Sequence, residues 1–373
     1  MLETYWLDFL GSPDPLQQMR KKGWDRFLEI GLPKEGQEAF QYLNKKFTFP
    51  PLTKRKQLEL EPCEGLVFVD GFFEESLSFI QAPVICLPLD QAIRSYGLFL
   101  QNRMNKTIRE EKDPFAAVNA ALQGRGAFIY VPPKCKAALH LIHHFLDPGM
   151  ASPRIHLYVG KNAELNLTQS SNGTSGFYNN LIDLVLDEGA QLYFSDYSEG
   201  HFQSIRSTLK RDSKFKAVFL GKQVRSSIQV ELTEENSEAE MLGLSRLEAK
   251  EEAHFHTNME HKAPHTRSRQ HFKSVVNGQA KFSFEGKIHV FPVAQKTESY
   301  QLNNNLILSD EASANAKPNL EIFADDVKAS HGATMGQLDE EQLFYLRSRG
   351  LSLTIAKEWL ISGFCQEILD HAR

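Results

Sequence analysis

No two cysteines in this chain stand close enough to form a metal knuckle. The four of them, Cys63, Cys86, Cys135 and Cys365, are scattered through 373 residues with no CxxC pair. Neither a zinc ribbon nor a disulfide framework is indicated, and each reads as a small buried hydrophobe. No run reaches the roughly 18 apolar residues that a membrane span requires. The opening "MLETYWLDFLGSPDP" is acidic and lacks the basic-then-apolar layout of a secretory signal, so a soluble cytoplasmic protein is expected. Positive charge is not in excess: 42 Lys+Arg stand against 47 Asp+Glu, a net −5, which points away from a nucleic-acid grip. GxxxxGK[ST], GxSxG and HExxH are all missing, so ATP binding by a P-loop, an α/β-hydrolase elbow and a zincin helix are not signalled.

The apolar content, 41%, is enough for one large core or a few modest ones. Near the start, "DPLQQMRKKGWDRFLEIG" sets Leu16, Met19, Trp24, Phe27 and Leu28 at three- and four-residue steps and stops at Gly31 and Pro33, which predicts a helix. "KEGQEAFQYLNKKF" predicts a second short one. "DQAIRSYGLFLQNRMN" and "DPFAAVNAAL" follow as helices. In the latter, Asp113 is placed as N-cap and Pro114 at the first helical position.

From about Gly124 the texture changes to short β-type runs, among them "GAFIYV", "AELNLTQ", "AKFSFEGKIHVF" and "NLEIFA". A polar turn followed by an alanine and an alternating run recurs, with the alanines at Ala163, Ala190, Ala239, Ala280 and Ala314. Steps of roughly 25 residues, sometimes longer, suit a solenoid built coil by coil, with an antiparallel sandwich as the competing architecture. No helix-sized segment interrupts the strands, which argues against a doubly wound α/β fold. The end is helical again. Asp339 and Gln342 form a capping-box pattern ahead of "EEQLFYLRSR", which stops at Gly350. "TIAKEWLISGFCQEIL" predicts a last helix with Ile355, Trp359, Leu360, Phe364 and Ile368 on its apolar stripe.

Two groups of histidines stand out. "HFHTNMEHKAPH" holds His254, His256, His261 and His265; the first two would share one strand face, the minimum for gripping a metal, so a β-helix hydrolase or lyase using this cluster is the alternative function. "HLIHH", His140 to His144, is a weaker version of the same pattern. A further histidine stands alone in "ADDVKASHGATMG". There Asp325 and Asp326 close a strand and Ser330-His331-Gly332 reads as a tight corner leading to the capped helix. A single imidazole cannot hold a metal tightly, so a functional His331 needs ligands from elsewhere, including another chain.

From about Glu260 onward the chain resembles the SufB/SufD family of iron–sulfur cluster assembly proteins, on its SufD side. The residues that carry the resemblance are "HKAPHTRS", "EGKIHV", "AQKTESYQLNNNLILSDEA", "KPNLEIFADDVKASHGATMGQLDEEQLFYLRSRG" and the "GF" of the last helix. It implies a mainly β fold, a right-handed parallel β-helix core between helical ends. The parts expected are an N-terminal helical region over 1–65, a core over 66–325 with a helical segment at about 90–122, and a C-terminal hairpin over 326–373.

The resemblance also implies a scaffold that is not an enzyme by itself. It would pair with the paralogue SufB and bind the ABC-type ATPase SufC within a SufBCD complex, with a homodimer open to the isolated chain. ATP hydrolysis in SufC would move the SufB–SufD pair and expose its interface. No cofactor is expected to be tightly bound in the isolated chain; a nascent iron–sulfur cluster is expected in the complex. His331 matches the SufD histidine that faces a SufB cysteine and helps to hold that cluster. The hairpin matches the part that docks SufC, with Asp339, Glu340, Glu341, Phe344, Tyr345, Arg347, Arg349, Trp359 and Phe364 as the docking residues. One departure is visible: where SufD proteins read "KCSHGAT", this chain has Ala329. SufB is the poorer match, because it reads "HEAT" where this chain reads "HGAT", and a cysteine of its following helix corresponds here to Leu346.

Overall fold

A computed structural model describes residues 2–10, 15–34, 37, 40–43, 47, 49–54, 60–173, 176–222 and 224–372. Strands alternate between two ten-stranded sheets, and successive strands of one sheet belong to successive coils, giving a parallel β-helix of about seven turns. The first sheet runs from Leu66–Val69 and Lys136–Phe145 through Glu238–Leu247, Arg267–Val276 and Glu298–Ile307 to Lys328–Gly336. The second runs from Ala127–Val131 and Arg154–Val159 through Glu252–His261 and Lys281–Val290 to Ser313–Ile322. The parallel coil pairing rules out the sandwich.

Register is in step from coil to coil. One interior column reads Leu139, Leu167, Phe194, Ala217 and Met241, all buried. Period-two alternation puts every second side chain into the bore, where stacked coils bury what a single coil could not. The five alanines of the sequence repeat all belong to this core. Asn162, Gly189, Asp212, Asn236, His265 and Lys296 take left-handed backbone conformations at corners, with φ between 56° and 67°. Asn, Asp and Gly suit that conformation for steric reasons, which is why the repeat is visible as polar turns.

The N-terminal helices are α1 (Leu2–Leu10) and α2 (Gln17–Ile30). Leu16, Met19, Trp24 and Phe27 are buried as expected, whereas Leu28 is exposed. Half of the predicted helix over "KEGQEAFQYLNKKF" falls outside the described residues. "DQAIRSYGLFLQNRMN" forms two helices rather than one, α3 (Leu89–Ser95) and α4 (Gly97–Glu110), broken at Tyr96. Then α5 (Pro114–Leu122) begins at Asp113, whose carboxylate accepts from the Phe115 N–H at 2.9 Å. Gly23 lets α2 lie directly on α5: a Cβ there would come within 2.7 Å of Ala120.

Buried ion pairs tie these helices to the outer face of the second sheet: Arg103–Asp183 at 2.6 Å, Arg206–Glu111 at 2.9 Å and Arg225–Asp113 at 2.6 Å. At the other end, α6 (Glu340–Ser348) and α7 (Leu353–Leu369) fold back over the outer face of the first sheet. The core is longer than its expected limit at 325. Residues 328–336 are not a corner in the helical tail but the last strand of the first sheet.

Candidate functional site

The β-helix ends open. Lys328–Gly336 and Ser313–Ile322 are the terminal strands of their sheets, each paired on one side only. Such strands present a row of free backbone donors and acceptors that can pair with another chain.

His331 lies on the first of these strands and is exposed. The tight turn lies upstream, between Ile322 and Lys328, and the "SHG" segment is extended. Register settles which way the histidine faces. Ala329, His331, Ala333 and Met335 are the partners of Ser299, Gln301, Asn303 and Asn305, four buried residues on the bore side of the preceding strand. Across the bore, Ala314, Ala316, Pro318, Leu320 and Ile322 continue the interior columns of the second sheet. The mouth of the bore is therefore a shallow well. Its walls are small or apolar, and His331 is its one titratable side chain.

The layer beneath is polar. The column that starts with Leu139 continues from Met241 through Gln270 and Gln301 to His331. Most polar groups of this layer satisfy one another: Ser268 with Ser299 at 2.6 Å, Asn305 Nδ2 donating to Asn303 Oδ1 at 2.7 Å, and Asn303 Nδ2 donating to the Phe272 carbonyl at 3.0 Å. Gln301 is different. It is 2% exposed, and neither its Nε2 nor its Oε1 has a partner. Sequence reasoning missed this residue. "YQLNNNL" alternates polar residues in a strand, but alternation alone does not tell which parity faces inward.

Ala329 sits two residues before His331 on the same face, so the cysteine expected by resemblance would have pointed into the same well. Among the described residues no group of three or more His, Cys, Asp or Glu could hold a metal, so His331 is not part of a metal site within this chain's described residues.

The alternative histidine cluster does not come together. His254 and His256 face outward on Glu252–His261, while His261 faces the bore, about 16 Å beyond His256 along the strand. His261 is sealed there, with Nδ1 2.8 Å from Thr266 Oγ1 and Nε2 2.9 Å from Ser268 Oγ. His254 Nδ1 lies 2.7 Å from Ser283 Oγ. His265 occupies a left-handed corner, the slot held by Asn, Gly, Asp or Lys in other coils. Burial lowers the pKa of His261 to about 3 and that of His256 to about 4, so both stay neutral. The "HLIHH" group is likewise divided. His143 is buried between Phe68 and Tyr178, whereas His140 and His144 bond to Ser170 and Asn172 on the outer face.

The terminal hairpin has a buried and an open side. Ala356, Ile361, Cys365 and Ile368 of α7 face the sheet, where Ile361, Cys365 and Ile368 pack among Val218, Leu242, Leu244, Val275 and Leu306. Lys273 Nζ donates to the Phe364 carbonyl at 2.9 Å and pairs with Glu367 at 2.7 Å, and Arg246 pairs with Glu358. The stripe expected from sequence is rotated: Ile355 and Trp359 face solvent, and Ala356 and Ile361 are buried instead. Of the expected docking residues, Asp339, Glu340, Glu341, Phe344, Tyr345, Arg347, Arg349 and Trp359 are exposed. Phe364 is half-buried under Lys273 and belongs to the anchor. Phe344 at 75%, Trp359 at 60%, Tyr345, Leu353 and Ile355 give the hairpin a large apolar surface. Asp339 caps α6 by accepting from the Glu341 and Gln342 N–H groups at 2.8 and 3.1 Å.

None of the described helices is long and apolar enough to cross a membrane. Residues 144–364 match a family model described as the SufBD core domain of the SUF system for FeS cluster assembly. An iron–sulfur cluster assembly SufBD family protein of Synechocystis is 30% identical over 333 residues, covering 82% of this chain and 73% of that protein. The chloroplastic protein ABCI7 of Arabidopsis thaliana is 28% identical over 95% of this chain and 82% of its own length. The iron–sulfur cluster assembly protein SufD of Escherichia coli is 37% identical over 186 residues, 49% of this chain and 44% of that protein.

Proposed function

The chain belongs to the SufB/SufD family of iron–sulfur cluster assembly proteins, and from that premise we propose that it is a SufD-type scaffold subunit of a SufBCD complex. The open end of the β-helix pairs with SufB, and the terminal hairpin holds the SufC ATPase. His331 gives one ligand to the nascent cluster, which is the cargo of the complex, and SufB supplies the others. The subunit has no catalytic chemistry of its own. ATP hydrolysis in SufC moves the pair and uncovers the interface.

The observation that carries this reading is the position of His331, one exposed imidazole in a well formed by terminal strands. A lone imidazole inside a closed pocket would be half a site with no means of completion. On a terminal strand, the same incompleteness is completed by whichever chain pairs with the edge. The free edge also accepts a second copy of this chain, so the isolated subunit forms a homodimer through the same face. The hairpin reading is supported by apolar side chains held outward on a helix pair firmly anchored to the body.

The test is co-expression with SufB and SufC followed by anaerobic reconstitution with ferrous iron and sulfide. His331→Ala is expected to leave the complex intact and to lose most of the cluster. Full cluster assembly by that variant would overturn the ligand role.

A further inference from the structure

We propose that Gln301 is a second binding residue of the His331 site: its buried carboxamide forms the floor of the well and donates an N–H to a sulfur of the iron–sulfur group that His331 would hold at the rim. The proposal rests on the reading of His331 as a cluster ligand.

Four observations converge on Gln301. It is the register partner of His331 on the preceding coil, about 4.8 Å away across one strand spacing. Its amide is unpartnered at both ends, although Ser299, Asn303 and Asn305 on the same strand and face are satisfied. The amide reaches across the bore to Gly286, where an added Cβ would stand 2.0 Å from Nε2, so the opposite sheet leaves space for it. Pro318 stacks on Gly286 at the mouth side, and the neighbouring walls, Ala314, Ala316, Ala329 and Ala333, are trimmed to methyl groups, which leaves room beside Pro318 between the amide and the mouth.

A buried amide with no partner costs about 1–3 kcal/mol. The arrangement is coherent if a partner arrives in the working state. A group held at the rim by the His331 imidazole would face the Gln301 amide one coil below. The sulfurs of an iron–sulfur group carry negative charge and accept N–H hydrogen bonds, which stabilise the more reduced state and raise the reduction potential. The amide nitrogen is a donor that stays neutral at every pH, so it adds this interaction without placing a second charge in the bore.

The experiment uses the whole complex, built from the full-length chain with SufB and SufC and reconstituted with ferrous iron and sulfide. Gln301→Leu and Gln301→Met remove the donor at similar volume, and Gln301→Asn shortens its reach. Two variants of different shape guard against a packing failure in one of them, and thermal unfolding of the free chain reports on the fold. All three are expected to assemble the complex, and in the free chain Leu and Met are expected to melt at or above the wild-type temperature, because each removes an unpartnered buried amide. Leu and Met are expected to lower cluster yield about threefold or more, since loss of an outer hydrogen-bond partner costs about 10–100-fold in affinity at metal sites. The remaining cluster is expected to titrate at a more negative potential, with Asn intermediate.

Wild-type yield and potential in Gln301→Leu and Gln301→Met, while His331→Ala loses the cluster, would overturn the role of Gln301 and leave the ligand reading standing. That is also the result if only water occupies the floor of the well. Wild-type yield in His331→Ala would overturn both.

Discussion

Asp113 does two jobs with one carboxylate. It caps α5 through the Phe115 N–H, and its Oδ2 lies 2.6 Å from Arg225 Nη1 on the second sheet. The helix start and its attachment to the β-helix therefore depend on the same side chain. Asp113→Ala would leave Arg225 buried without its acid and is expected to cost about 3–5 kcal/mol. Chemical denaturation of the two proteins measures it, and a loss under 1 kcal/mol would refute the coupling.

Acid should unfold the protein in two stages. Burial lowers the pKa of His143, His156 and His261 from the ordinary 6.5 to about 3. These groups take up protons in the unfolded chain before the folded one, so stability falls as pH drops below about 6.5. Burial alone would raise Asp113 and Asp183, but the guanidinium charges of Arg225 and Arg206 on the first, and of Arg103 with His156 and Arg154 on the second, outweigh it and hold both carboxyls low. Their contribution is present above the ordinary carboxylate value of 3.8 and is lost as pH falls through their depressed folded values. Melting temperature followed from pH 8 to pH 3 is expected to fall first near pH 6.5 and again below pH 4. A flat profile between pH 7 and pH 5 would contradict the buried neutral histidines.

Trp359→Ala and Phe344→Ala should separate docking from folding. Both side chains face solvent, so the melting temperature of the free chain is expected to stay within about 1 °C. Affinity for SufC is expected to drop by about 2 kcal/mol for each, the scale of a central aromatic anchor. Titration calorimetry with purified SufC reads it. Phe364→Ala, in contrast, should lower stability, because that ring belongs to the anchor under Lys273.

Ala329→Cys should add a thiol to the face that carries His331, two residues along the same strand. Cobalt(II) titration of the purified variant is expected to give a thiolate-to-cobalt absorption band that His331→Ala removes from the double variant. A band that persists without His331 would show that the thiol binds elsewhere.

His265 holds a corner with φ 59°. His265→Asn is expected to change stability by less than about 0.5 kcal/mol, because Asn tolerates the left-handed region. His265→Val should cost about 1–2 kcal/mol, since a β-branched side chain crowds the following carbonyl there. Equal tolerance of both would argue against the corner role, and a loss of cluster assembly in His265→Asn would revive a ligand role.

The division between what was legible and what was not follows these residues. The corner pattern could be read directly, because left-handed backbone selects Asn, Asp and Gly locally and the alanine after it must fit the bore. The caps at Asp113 and Asp339 were legible for the same reason: a carboxylate two or three residues ahead of free N–H groups is a local arrangement. The solitary His331 and its motif were legible as half of something, with nothing nearby to complete it.

Facing was not legible. A strand of period two offers two faces, and only the stacking of coils decides that Gln301 enters the bore while Tyr300 leaves it, or that His256 and His261 part company. Leu28 and Ile355 look like core residues in their helices and are solvent-exposed, because the surfaces those helices pack against come from α5 and from the first sheet, far away in the chain. The sequence by itself determined the local choices of strand, corner and cap, and the motif around His331. Tertiary structure alone decided which side chains met, because burial depends on partners far away in the chain, such as Val218 and Leu242 for Ile361 and Cys365, whose placement no local pattern encodes.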